Sequence, residues 1–175
     1  MRSILFVLAG CLSMLQSAAS PAHAEQSVRG SEAIFSAAEK YTVRIQTRIE
    51  QALADDEIGV SEGTGFVVDL ARGWIVTNRH VVGVSPSEVR VALRSGDYVA
   101  ASKVYVDPLS DIAVIRSDID APAEAALGCS MDFGTGHPVG AYGHPWGLEY
   151  TGTQGVISGS TSELGPGLLQ TDAPI

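Results

Sequence analysis

His80 and the two carboxylates that follow it, Asp107 and Asp111, are the residues of this chain whose types and order could do chemistry. A serine hydroxyl is a poor nucleophile near neutral pH. It needs a base to take its proton as it attacks, and the base needs a partner that holds it in one tautomer. Histidine suits the first task because its ordinary pKa lies close to neutrality. His80 stands where the apolar run Trp74-Ile75-Val76 passes into Thr77-Asn78-Arg79-His80-Val81-Val82, so a strand end would carry its ring to a rim facing a cleft. A lone loop histidine would need no such role. Asp111 comes 31 residues later and directly precedes the apolar run Ile112-Ala113-Val114-Ile115. A carboxylate in that position is partly buried and needs hydrogen bonds to offset the cost, and an imidazole N–H is a suitable donor. Asp111 could instead cap a turn after Pro108, a task open also to Asp107 or Ser110. The residues by themselves leave both carboxylates in play.

The elements that must position these groups are short strands. Tyr41, Val43, Ile45, Thr47 and Ile49 alternate with polar neighbours, the pattern of a strand with one face on a core. Asp55, Asp56 and Glu57 mark a solvated loop, and further strands are expected over Gly63 to Asp69, Trp74 to Thr77, Glu88 to Leu93, Tyr98 to Val106 and Ile112 to Arg116. Ser95-Gly96-Asp97 suits a hairpin turn. These six strands predict a small antiparallel barrel or sandwich. A connector from Ser117 to about Ala126 leads to three more strands, Val139 to Tyr142, Thr151 to Ser158 and Leu168 to Thr171. Ahead of the strands, Glu32 to Lys40 carries Ala33, Ile34, Ala37 and Ala38 at helical spacing.

Residues 1 to 24 read as an address. Arg2 is followed by an apolar stretch, Ile4 to Leu15, too short to span a bilayer, and Ala22-His23-Ala24 has the small-x-small pattern of a signal-peptidase site. Cleavage after Ala24 and export to the periplasm or beyond are expected. Leu8-Ala9-Gly10-Cys11 also matches a lipoprotein cleavage box, but the apolar run continues past Cys11 through Leu12 and Leu15, so no membrane attachment is expected unless Cys11 is lipidated. The chain has 11 basic and 20 acidic residues, and loss of Arg2 with the leader makes the acidic excess larger. That excess argues against nucleic acid or an anionic membrane as the main partner. Cys129 is the only cysteine after the leader, so no intramolecular disulfide forms, and nothing around it would activate a thiol.

His80, His137 and His144 lack the close spacing of zinc ligands, and the glycines from Gly134 to Gly143 do not form the dinucleotide-binding pattern. No metal or organic cofactor is called for.

The phrases Thr77-Asn78-Arg79-His80-Val81, Asp107-Pro108-Leu109-Ser110-Asp111-Ile112-Ala113-Val114 and Leu169-Gln170-Thr171-Asp172-Ala173, in that order, resemble the trypsin-like serine proteases of the bacterial HtrA/DegP kind. Gly63-Thr64-Gly65 is similar to the family's strand beneath the active site. Gly140 to Leu148 is similar to its Gly-Asn-Pro-Phe-Gly-Leu turn, with His144 in place of asparagine and Trp146 in place of phenylalanine. Val81 stands where animal relatives have a cysteine.

The resemblance implies an all-β, trypsin-like double barrel with a short N-terminal helix. A complete first barrel would occupy about residues 41 to 118 and an incomplete second barrel about 126 to 175, in a peptidase domain running from 25 to 175. It moves Asp111 to the orienting position beside His80, with Asp107 as the fallback. It implies polypeptide substrates and a homo-oligomer. It places the nucleophilic serine, the oxyanion hole and any PDZ module beyond Ile175, so these 175 residues are expected to be a fragment, inactive alone. A non-catalytic, protease-like binding module is the rival reading. In the second half, the strand at Leu168 to Thr171 is expected to be an open edge, with Val139, Val156 and Ile157 uncovered.

Overall fold

The computed structural model describes residues 31–107, 109–128, 133–144, 150–161 and 168–174. The leader with Cys11 and Ala24, Cys129, the Pro145 to Leu148 part of the glycine turn, and Ile175 lie outside the described residues. A helix, α1, covers residues 31–39, where the spacing of alanines predicts one. Nine strands follow, with one helical turn between the third and fourth.

β1 (Thr42–Ile49), β2 (Gly59–Asp69), β3 (Trp74–Thr77), β4 (Ser87–Ala92), β5 (Val99–Val106) and β6 (Ala113–Ser117) close into a barrel in the order β1-β2-β3-β6-β5-β4. Every neighbouring pair is antiparallel, and β1 closes the circle against β4 with Ile45 opposite Val91. Closure leaves no strand edge unpaired, which removes the sites where another chain could add. The period of two in β1 has its expected result. Val43, Ile45, Thr47 and Ile49 all point inward. Val43 and Ile45 join Val67, Ile75, Val89, Val91, Ala113 and Ile115 in one cluster that also takes in Val81 and Val82. Each such side chain, moved from water to the interior, contributes roughly 1.5–3 kcal/mol.

β2 begins at Gly59, four residues before the glycine phrase that predicts it, because polar Ser61 and Glu62 pair across to Thr47 and Gln46. The connector after β6 is fastened to the barrel: the Ala125 amide donates to the Val67 carbonyl at 2.7 Å and Glu124 accepts from the Leu70 amide at 2.8 Å.

The second half forms a three-stranded antiparallel sheet, β7 (Pro138–Gly143), β8 (Thr151–Thr161) and β9 (Leu168–Thr171), in the order β7-β8-β9. β9 is an edge of this sheet, as expected. Ile157 is not uncovered, however. It is 4% exposed, and its backbone amide and carbonyl bond to His137 and Gly136 across the top of the sheet. Val139 and Val156 are half-buried. Helix α1 seats against the same sheet through Phe35, whose ring stacks on Tyr142 at 5.9 Å and fills the space that a Cβ at Gly152 would need.

Candidate active site

His80 lies on a single helical turn, α2 (Arg79–Val82), that leaves the end of β3. Its N-cap, Asn78, makes no side-chain cap bond. The Asn78 amide is turned instead toward Asp111, donating to its carbonyl at 3.1 Å and facing its Oδ2 at 3.3 Å. The floor beneath the turn is β2. A Cβ on Gly63 would stand 2.5 Å from Cγ2 of Val81, so only glycine there lets Val81 sink into the core beside His80. Ser61 Oγ donates to the Val81 carbonyl at 2.9 Å.

Asp111 meets this turn from the loop before β6. Its backbone sits in the left-handed region at φ 50°, a conformation that aspartate tolerates better than most residues. The Asp111 carbonyl accepts from the Arg79 amide at 3.1 Å. Its carboxylate takes both ends of His80: Oδ1 accepts the His80 amide at 2.9 Å, and Oδ2 lies 2.8 Å from the ring Nδ1. On a neutral ring beside a carboxylate, Nδ1 is the nitrogen that carries the proton and Nε2 the one with the lone pair. Burial pushes the Asp111 carboxyl up. The bonds from the His80 amide and ring, the ring's charge and the Asn78 amide together outweigh it, so the group titrates below the ordinary carboxylate range. Asp107 is engaged elsewhere. Its Oδ1 accepts the amides of Leu109 and Ser110 at 2.7 and 3.0 Å, and its Oδ2 the Tyr105 hydroxyl at 3.1 Å, so it caps its own turn.

The side chain of His80 is 69% exposed and borders a cleft of about 500 Å³ between the barrel and the second sheet. Thr64 and Val81 line it from the barrel, Tyr142, His144 and Thr153 from the second sheet, and Pro174 borders it as well. A trypsin-like peptidase domain matches residues 63–175. The chain belongs to that family. Its relatives are of the HtrA and DegP type. "Serine protease HTRA2, mitochondrial" of Bos taurus is 41% identical over 128 residues, 68% of this chain and 28% of that protein. "Serine protease Do-like HtrA" of Bacillus subtilis (strain 168) is 38% identical over 133 residues, 69% and 29%. The "Periplasmic serine endoprotease DegP" of Salmonella typhimurium is 37% identical over 119 residues, 65% and 25%. Among solved structures, "HtrA-type protease AlgW with decapeptide" superposes with a TM-score of 0.63 at 28% identity, covering 80% of this chain and 50% of that one. The chain thus spans under a third of the length of these curated relatives.

In this chain the glycine turn joins the barrel at Thr64, whose Oγ1 accepts the His144 amide at 2.8 Å. The His144 ring stands edge-on to Tyr150, with centroids 5.8 Å apart. Tyr150 reaches back to the first barrel, donating to the Thr42 carbonyl at 3.4 Å, and burial pushes its phenol up to about 12. The three histidines are thus dispersed, with His80 on Asp111, His144 on Tyr150 and His137 against Phe133. Among the described residues no group of three or more His, Cys, Asp or Glu could hold a metal, and no helix is long and apolar enough to cross a membrane.

Sequence reasoning brought out His80 and Asp111, and it missed Asn78, Ser61 and Thr64 as supports. Asn78 had a usable signal, since it sits inside the motif at an N-cap position. Ser61 had none.

Proposed function

We propose that this protein is an exported serine endopeptidase in which His80 is the general base and acid, Asp111 orients it, and the nucleophile is a serine that follows Ile175. One observation carries the reading. The two-point grip of Asp111 on the His80 amide and Nδ1 leaves Nε2 for the cleft, and Pro174, next to the end of the family-matched segment, borders that same cleft. In the reaction, Nε2 takes the serine proton as the hydroxyl attacks the peptide carbonyl. The resulting imidazolium is stabilised by the Asp111 carboxylate and then gives the proton to the leaving amine. Water repeats the cycle to release the acyl group. The residues here supply the base and its orientation, and no step needs a cofactor. The substrates are polypeptides, the relatives' names supporting proteolysis and, for the Salmonella protein, a periplasmic location. Export of this chain rests on its leader, with cleavage after Ala24.

A fluorophosphonate probe applied to the product of the complete reading frame tests the assignment. Labelling of a serine beyond Ile175 is expected. It should be lost in His80→Ala and fall by about three to four orders of magnitude in Asp111→Asn. Residues 1 to 175 alone should stay unlabelled. Labelling at a serine within them, such as Ser158, would relocate the nucleophile. An unlabelled complete protein would favour the binding-module reading.

A further inference from the structure

The barrel's inner register holds one long cation. β5 has a bulge between Lys103 and Tyr105 that leaves Val104 and Tyr105 both on the outside, while Lys103 falls in step with the inward Ala101. A lysine directed toward the inside of a small barrel loses hydration and must find oxygen partners. Lys103 finds three, and all belong to the chain just after His80. Its Nζ donates to the carbonyls of Val82 and Gly83, each at 3.2 Å, and also to that of Ser85.

The same four-residue stretch is also held by an anion. Oδ2 of Asp56, from the loop between β1 and β2, accepts the amide of Val84 at 2.8 Å and the amide and hydroxyl of Ser85, both at 2.6 Å. Ser85 is fully buried, and its Oγ in turn accepts the Leu53 amide at 2.8 Å. Gly83 makes the approach possible. Its φ is 64°, and a Cβ there would come within 2.7 Å of Asp56 Oδ2.

A helix of one turn cannot hold its own shape. Nucleating a turn costs more than one or two closing bonds return, and α2 is closed by the Gly83 amide donating to the Arg79 carbonyl at 2.8 Å and the Val81 amide donating to the Asn78 carbonyl at 3.2 Å. The pose of α2 is therefore set by what grips it from outside: the core takes Val81 and Val82, Ser61 holds the Val81 carbonyl, and other groups hold the two ends. Asp111 and Asn78 hold the front, and Lys103 and Asp56 hold the back, with the cation on the carbonyl end where the helix dipole favours it.

We propose that Lys103 and Asp56 are positioning residues that act through the Val82 to Ser85 turn to keep His80 in register with Asp111. Neither touches substrate. The inference rests on His80 being the catalytic base. It adds that the base is aligned by an ion-and-carbonyl clamp built from β5 and from the β1–β2 loop. A displacement of the turn by about 1 Å is enough to cost on the order of a hundredfold in a reaction that depends on the ring's placement.

The test is nuclear magnetic resonance of the histidine-labelled 175-residue chain, read at the His80 Nδ1 proton, with unfolding midpoints taken on the same samples. The parent should show a protected Nδ1 proton. Lys103→Met keeps the stem and removes the donors, and should speed exchange of that proton about tenfold or erase its signal while backbone amides of β1 and β6 stay protected. Lys103→Arg should restore it. In the complete protein the Met variant should lose about tenfold to a hundredfold in kcat with KM little changed. If Lys103→Met lowers the unfolding midpoint but leaves the Nδ1 proton as in the parent, the residue is merely structural and the proposal is overturned. If that variant does not fold, Asp56→Asn is read in the same way. A parent chain with no protected Nδ1 proton would instead remove the His80 and Asp111 pairing itself, and the clamp with it.

Discussion

The two halves of the molecule are built from the same kind of strand and reach different ends. In the first, six strands close on themselves around a continuous cluster of valines and isoleucines, and no edge is left. In the second, three strands form an open sheet in which the buried apolar side chain, among the described residues, is Ile157, with Ala173 buried just after β9. Closure makes the difference. A closed barrel satisfies every strand on both sides and encloses its own core, whereas a three-stranded sheet depends on what lies against it. Here that support comes from the first half, through Phe35 against the sheet and Tyr150 bonded to the Thr42 carbonyl. The proposed base and its orienting aspartate both stand on the closed half. Their geometry can therefore be rigid even while the other wall of the cleft is free to adjust.

The comparison can be broken most directly by hydrogen exchange read by mass spectrometry. Amides of β1, β3 and β6 should exchange only through global unfolding, and those of β9 faster by several orders of magnitude, through local opening. Uniformly slow exchange in a soluble monomer would show the second sheet to be as complete a unit as the barrel.

Truncations in the two cores come next in size. Ile115→Ala, in a site with no exposure and neighbours on every side, should cost about 3–5 kcal/mol in denaturant unfolding. Ile157→Ala, in the open sheet, should fall near 2 kcal/mol, because its surroundings can collapse into the space. Equal costs would contradict the contrast.

The smallest effect probes the seam. The Tyr150 phenol is held neutral by burial up to about 12, against an ordinary value of 10. A group whose neutral form is favoured by folding stabilises fully below its ordinary pKa and loses that contribution as pH rises through its folded one. Phenolate absorbance should therefore show one tyrosine titrating near 12, and the second half should loosen between pH 10 and 12. Tyr150→Phe should abolish that step. A tyrosine titration complete near 10 would mean that the seam is open to water.

Much of the barrel was legible from side-chain alternation, which is a local property. The inward Val43, Ile45, Thr47 and Ile49 of β1, and the short apolar β3, carry their burial in their spacing. The histidine's phrase and the aspartate's place before β6 were legible in the same way, as residue types in a fixed order. Other features could not be read along the chain. Helix α2 is too short to have a period. Lys103 counts as an ordinary polar residue until the bulge after it sets its face inward. Asp107 and Asp111 are the same residue type four positions apart, and only the left-handed backbone at Asp111 and the pairing of β3 with β6 bring one to His80 while the other caps its own turn. Periodicity and side-chain chemistry are written locally, so the sequence determined the strands and the candidate groups. Contact between groups 31 residues apart exists only once the barrel has closed, so the tertiary structure alone decided which of them meet.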